Sequence, residues 1–190
     1  TALDLVSKSG VSWRVDRQGE IYARTVHETP DDWRTELRQA DGSWKQLAEG
    51  GVEDWFSVLS EPDEDGKILA LTTLGRDKSA LVKFDTLTLD EHVIFEDDIV
   101  DTRWIETHPI TGEAQSAVSY PSLQRRVYFD EAYEAIMNSV PQEGPTALHR
   151  VSMTHDMSKM IVAAEHSTKG WSTHLVDQVD DAITTIATPP

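Results

Sequence analysis

The chain has 190 residues, with 34 acidic side chains against 17 basic ones and a net charge of −17. That balance weighs strongly against a nucleic-acid partner or an anionic membrane surface, since both are bound through Lys and Arg. Hydrophobic residues make up 38% and there are six tryptophans but no cysteine, which supports a packed core and excludes disulfides, thiolate catalysis and cysteine-ligated zinc. No apolar run approaches the roughly 20 residues needed to span a bilayer. The acidic excess serves solubility or draws a cationic substrate or partner.

The opening stretch "TALDLVSKSG" has no basic segment followed by an apolar one, so no signal peptide is read there. It also lacks an initiator Met, and with the abrupt end "TIATPP" the sequence reads as a segment of a longer protein. Within residues 1–50, "DRQGEIYA" is a hairpin turn feeding a strand, "TELRQADGSW" a strand ending near Asp41, and "WKQLAE" a further strand. Residues 51–98 repeat this order with "DEDGKILA", then "TLGRDKSALVKFDTLT" closing on Asp85, then "EHVIFE". Residues 99–145 begin alike with "PITGEAQS", but after Asp130 "DEAYEAIMNSVPQEG" places Ala, Tyr, Ile, Met and Val at helical spacing. A helix of about ten residues is therefore expected near 130–140, stopped by Pro141 and Gly144, where a fourth strand would otherwise run. Residues 146–190 return to the strand pattern with "HDMSKMIV", "THLVDQVDDA" and "AITTIAT".

The turn residues Gly19, Gly66, Gly112 and Ser158 recur at intervals of 47, 46 and 46, and Asp41, Asp85, Asp130 and Asp177 at 44, 45 and 47. An Asp just beyond a strand accepts backbone N–H groups and turns the chain. A period near 45 residues with four short antiparallel strands is the mark of propeller blades. The expected fold is all-β, about four blades of a β-propeller near 1–50, 51–98, 99–145 and 146–190, with one inserted helix.

The stretch "DGKILALTTLGRDKSALVKFDTLTLDEHVIFE" resembles a propeller blade of bacterial serine peptidases of the prolyl oligopeptidase family, in the acylaminoacyl-peptidase and dipeptidyl-aminopeptidase-like branch. Gly75, Arg76, Asp77, Leu81 and Asp85 follow that family's order. "VDTRWIETHPITGEAQSAVSY", "QRRVYFDEAYEAI" and "VSMTHDMSKMIVAAEHSTKGWSTHLVD" resemble its later blades, so the likeness covers most of residues 55–180. Lys169-Gly170 stands where the family often has Pro-Gly. The resemblance implies a C-terminal α/β-hydrolase domain in the same polypeptide, with a Gly-x-Ser-x-Gly elbow and later Asp and His. No Gly-x-Ser-x-Gly occurs in this chain, and "SKSG" at 7–10 lacks the first glycine. No catalytic residue and no cofactor is therefore assigned to the chain itself. Its implied partners are that catalytic domain and short peptide substrates, and the compartment stays open between bacterial cytoplasm and periplasm. Four blades are fewer than the family's closed rings hold, so exposed sheet faces make an open crescent or a homo-oligomer of the segment the expectation.

Arg125-Arg126 is the basic doublet that the resemblance offers as facing substrate or the catalytic domain, through bidentate bonds to a carboxylate. The other reading is an ion pair inside the blade, with Glu131, Glu134 or a neighbouring Asp. Gly75, Arg76, Asp77 and Asp85 read as a structural turn motif. His149, His155, His166 and His174 cluster in the last unit without His-x-His or His-x-x-x-His spacing, so no metal is assigned, although adjacent strands can bring such residues together. The acidic stretch "EPDEDG" fails as a calcium loop because Lys67 falls on a ligand position counted from Asp63. Trp13, Trp33, Trp44, Trp55, Trp104 and Trp171 read as packing between sheets, the alternative being an exposed ligand platform. The function expected is capping and gating of a peptidase active site. The alternative is a stand-alone propeller scaffold of the Tol or WD-repeat kind, the latter weakened by missing Gly-His and Trp-Asp dipeptides.

Overall fold

Alternating apolar positions broken by Gly, Asp and Ser turns produce fifteen strands and one helix in the computed structural model, which describes residues 10–16, 18–142 and 144–188. Residues 1–9, which include the first nine residues of the opening stretch and 7–9 of "SKSG", lie outside the described residues. Two compact units are formed, residues 1–102 and 103–190.

The first unit holds two antiparallel sheets. One comprises β1 (Val11–Val15), β2 (Ile21–His27), β3 (Trp33–Arg38) and β4 (Trp44–Gly50), and the other β5 (Phe56–Val58), β6 (Lys67–Thr72), β7 (Ala80–Asp85) and β8 (Glu91–Glu96). In each, spatial order follows chain order. Ala23, Trp33, Leu37, Leu47 and Ala48 pack with Phe56, Val58, Ile68, Ala70, Val82 and Phe84 into one core, which is what the period-2 patterning buries. Trp33 pins the passage from β4 to β5, its Nε1 donating to the carbonyls of Gly51 at 3.0 Å and Asp54 at 2.7 Å. A Cβ on Gly50 would meet the Trp33 ring at 2.7 Å, so glycine is required by that close approach.

The second unit contains β9 (Thr102–Thr107, whose first residue closes the first unit), β10 (Ala114–Ser119) and β11 (Arg125–Tyr128), followed by α1 (Glu131–Ser139). The last sheet comprises β12 (Thr146–Met153), β13 (Lys159–His166), β14 (Gly170–Asp177) and β15 (Ala182–Ala187). The third sheet has three strands, with α1 following β11 as the helical spacing foretold. Asp130 caps the helix by accepting from Tyr133 N–H at 3.1 Å. Tyr133, Ile136, Met137 and Val140 then pack on Leu148, Met160, Val162 and Val176.

The repeat landmarks have a common mechanical role. Gly19, Gly66 and Gly112 adopt φ of 82°, 74° and 74°, where a side chain is strained. In the fourth sheet Ser158 does not take that role; Met157, one residue earlier, carries φ 58°. Of the Asp series, Asp85 accepts from the N–H groups of Leu87 and Thr88, Asp177 from Val179 and Asp180, and Asp41 from Ser43.

Candidate functional site

The Arg125-Arg126 doublet lies on β11, where Arg125 pairs in register with Ser119 and Arg126 with Val118. Arg125 is half-buried. Arg126 turns inward: its Nη1 donates to the Glu106 carboxylate of β9 and, at 2.7 Å, to Ser116 Oγ of β10, and its Nη2 to the Leu148 carbonyl at 2.7 Å. Ser116 Oγ and Tyr133 Oη also donate to Glu106, each at 2.7 Å. The Arg126 and Glu106 side chains are only 5% and 8% exposed. Neither Glu131 nor Glu134 is the partner of this guanidinium. Glu106 lies twenty residues upstream, reached only because β9, β10 and β11 stand side by side. Burial draws the Arg126 guanidinium below its ordinary value, and burial pushes the Tyr133 phenol up to about 12. This cluster ties the helix to the third sheet.

In the Gly-Arg-Asp turn, Gly75 has φ 70° and the Arg76 N–H donates to the Thr73 carbonyl at 3.1 Å. The Arg76 guanidinium bonds Glu91 of β8, while Asp77 is solvent-exposed. These contacts hold the β6–β7 loop.

The histidines are dispersed. His166 Nδ1 accepts from the N–H groups of Thr168 and Lys169 at 3.2 Å, closing the β13–β14 turn. His174 is buried between Ser172 Oγ at 2.8 Å and Thr185 Oγ1 at 3.2 Å, beside a cavity of about 310 Å³. A hydroxyl, that of Thr185, faces His174 Nδ1, where a Ser-His-Asp triad has a carboxylate. Among the described residues, no group of three or more His, Asp or Glu side chains is arranged to hold a metal.

Four of the six tryptophans gather in two sets that sequence spacing did not reveal. In the first sheet, Trp13 and Trp44 lie 6.1 Å apart, with the Arg24 guanidinium 4.2 Å from the Trp44 centroid and 5.9 Å from that of Trp13. Arg24 Nε donates to Glu36 Oε2 at 2.5 Å. Burial pushes the Glu36 carboxyl up, but hydrogen bonds from Arg24 and Arg34 outweigh it and leave it below the ordinary carboxylate range.

The second set forms a row in the second unit. Ring centroids run from Tyr120 to Trp104 at 5.5 Å, to His149 at a further 6.0 Å, and on to Trp171 at 4.9 Å. On β13, Glu165 stands in register with Ala147 of β12 and Trp171 of β14, so the three share one face. Glu165 Oε2 is 3.6 Å from His149 Nε2. Burial pulls the His149 imidazole below its ordinary value against the opposing pull of Glu165. Tyr120, Gln124, Gln142, Ala147, Glu165 and Ser167 line an adjoining cavity of about 470 Å³. The row thus places aromatic faces and an acidic oxygen beside an opening of ligand size, which suits binding.

No protein-family model matches this sequence, and no curated protein matches it. Among solved structures, the chain is similar to a prolyl endopeptidase, one of two studied for the role of inter-domain dynamics in catalysis and specificity. The TM-score is 0.60 and the identity 12%, over 95% of this chain and 26% of that one. It is also similar to TolB from Acinetobacter baumannii, with TM-score 0.50 and 14% identity over 87% of this chain and 40% of TolB. Both likenesses show the fold, a β-propeller, and in both the chain spans well under half of its counterpart's length.

Proposed function

We propose that the chain is the non-catalytic propeller segment of a prolyl-oligopeptidase-like serine hydrolase, where it caps the active site and restricts entry to short or unfolded peptides. The supporting observation is that 95% of the chain aligns with a prolyl endopeptidase at TM-score 0.60 while occupying 26% of that enzyme's length. Steric exclusion needs a rigid wall rather than reactive groups. The Glu106–Arg126–Tyr133 cluster and the Asp-anchored turns supply that rigidity. In the whole protein an activated Ser would attack the amide carbonyl, with a His base and an oxyanion hole contributed by the hydrolase domain.

A second reading is a binding scaffold of the TolB kind, favoured by the aromatic row and its cavity. Sequencing the reading frame beyond codon 190 separates the two. The peptidase reading expects a Gly-x-Ser-x-Gly elbow with later Asp and His, and a full-length protein that cleaves short chromogenic peptides but spares folded proteins. A stop codon or further blades in their place, or hydrolysis by residues 1–190 alone, overturns it.

A further inference from the structure

The first sheet shows how this chain holds a guanidinium. Trp13 of β1, Arg24 of β2 and Glu36 of β3 lie in one lateral register row, with Trp44 closing over the cation. The cation gains from the quadrupole of two indole faces and from a charge-assisted bond to one carboxylate. Arg24 and Glu36 are closed in, their side chains 13% and 11% exposed.

The fourth sheet presents the same chemistry in a different lateral order. Ala147, Glu165 and Trp171 form a register row across β12, β13 and β14, with His149 stacked against Trp171. Directly opposed residues on one face stand about 5 Å apart at Cβ. A cation resting on the Trp171 ring is therefore within reach of the Glu165 carboxylate. Ala147, one place along the row, is short and forms part of the cavity wall. Trp171 is 48% exposed and the Glu165 side chain 46%, so this set is open to solvent where the first is sealed. Trp104 and Tyr120 continue the aromatic surface past His149. Residues 103–190 carry 11 acidic against 6 basic side chains, a balance that favours approach of a positive ligand.

We propose that Trp171, Glu165 and His149, with the cavity beside them, form a binding site for the arginine side chain of a basic peptide. Arginine suits the site better than lysine because a planar, weakly hydrated guanidinium stacks on indole while bonding a carboxylate in its own plane. The site is independent of any hydrolase domain, because every group it uses lies in residues 103–190.

The test is calorimetric titration of the 190-residue chain with N-acetyl-Gly-Arg-Gly-amide, and with the same peptide carrying citrulline, the neutral isostere of arginine. Saturable binding of the arginine peptide is expected, weakened about fivefold or more by citrulline, by Glu165→Gln and by Trp171→Ala. Trp171→Phe should retain part of the affinity, and Trp13→Leu, in the sealed set, should leave it unchanged. Both Glu165 and Trp171 are partly exposed, and circular dichroism verifies that each variant is folded. No saturation below about 10 mM peptide, equal binding of the citrulline peptide, or binding indifferent to both Glu165→Gln and Trp171→Ala overturns the proposal.

Discussion

Glu36 in the first sheet and Glu106 in the third are both strand glutamates bonded to an arginine, yet they are built differently. Glu36 takes its cations from its own register row and its own strand, Arg24 directly opposite on β2 and Arg34 two residues before it. Its side chain is 11% exposed, little more than the 8% of Glu106, and the opening to water is on the side of Arg34, 28% exposed. Glu106 is sealed among Arg126, Ser116 and Tyr133, and one of those donors comes from a helix that the other sheets do not have. The same ion pair is thus a local adornment of a sheet in one place and the fastening of an inserted element in the other.

Removing each carboxylate measures that difference. Glu106→Ala leaves a guanidinium buried without its counter-charge, and a loss of about 3–5 kcal/mol in denaturant unfolding is expected. Glu36→Ala should cost less, about 2 kcal/mol, because Arg34 is already 28% exposed and Arg24 keeps its contacts with Trp13 and Trp44. The Glu36 carboxyl sits below its ordinary range in the folded state. Its contribution is therefore present above the unfolded-state value and lost as pH falls through the lowered one, so the gap between wild type and Glu36→Ala should narrow in acid. Equal losses at the two glutamates would erase the distinction.

Tyr133→Phe probes the fastening from the helix side, at about 1–2 kcal/mol for a lost bond to a charged acceptor. Its pH dependence has the opposite direction. The phenol titrates at about 12 when folded and near 10 when unfolded, so its contribution is complete below pH 10 and drains away as pH rises towards 12. Chemical unfolding between pH 9 and 12 should show the wild type losing stability faster than Tyr133→Phe. Parallel curves would mean that the hydroxyl is not held as described.

The blades were readable in the sequence because their cues are local. A Gly at positive φ, an Asp taking N–H groups two or three residues ahead, and period-2 burial all act within a few positions, as Gly66 and Asp85 show. The inserted helix was readable for the same reason, from the spacing of Tyr133, Ile136 and Met137, whereas Asp130, read as a strand-end turn residue, proves to be its cap. The partner of Arg126 was not, because Glu106 is separated from it by an entire intervening strand. Nor was the row of Tyr120, Trp104, His149 and Trp171, whose members come from two sheets and the end of β10. Even within a blade, Met157 rather than Ser158 takes the left-handed turn, since a shift of one position leaves the local pattern unchanged.

In every sheet the strand order is the chain order, so each strand pairs with one just made. Loop closure then proceeds in short steps, each with a small entropic cost, and no pairing has to wait for a distant segment. During synthesis β1 to β4 can zip into a sheet before β5 leaves the ribosome. Trp33 docks only once Gly51 and Asp54 have emerged, so the burial of its indole would register, on the clock of translation, the moment the first blade acquires its successor.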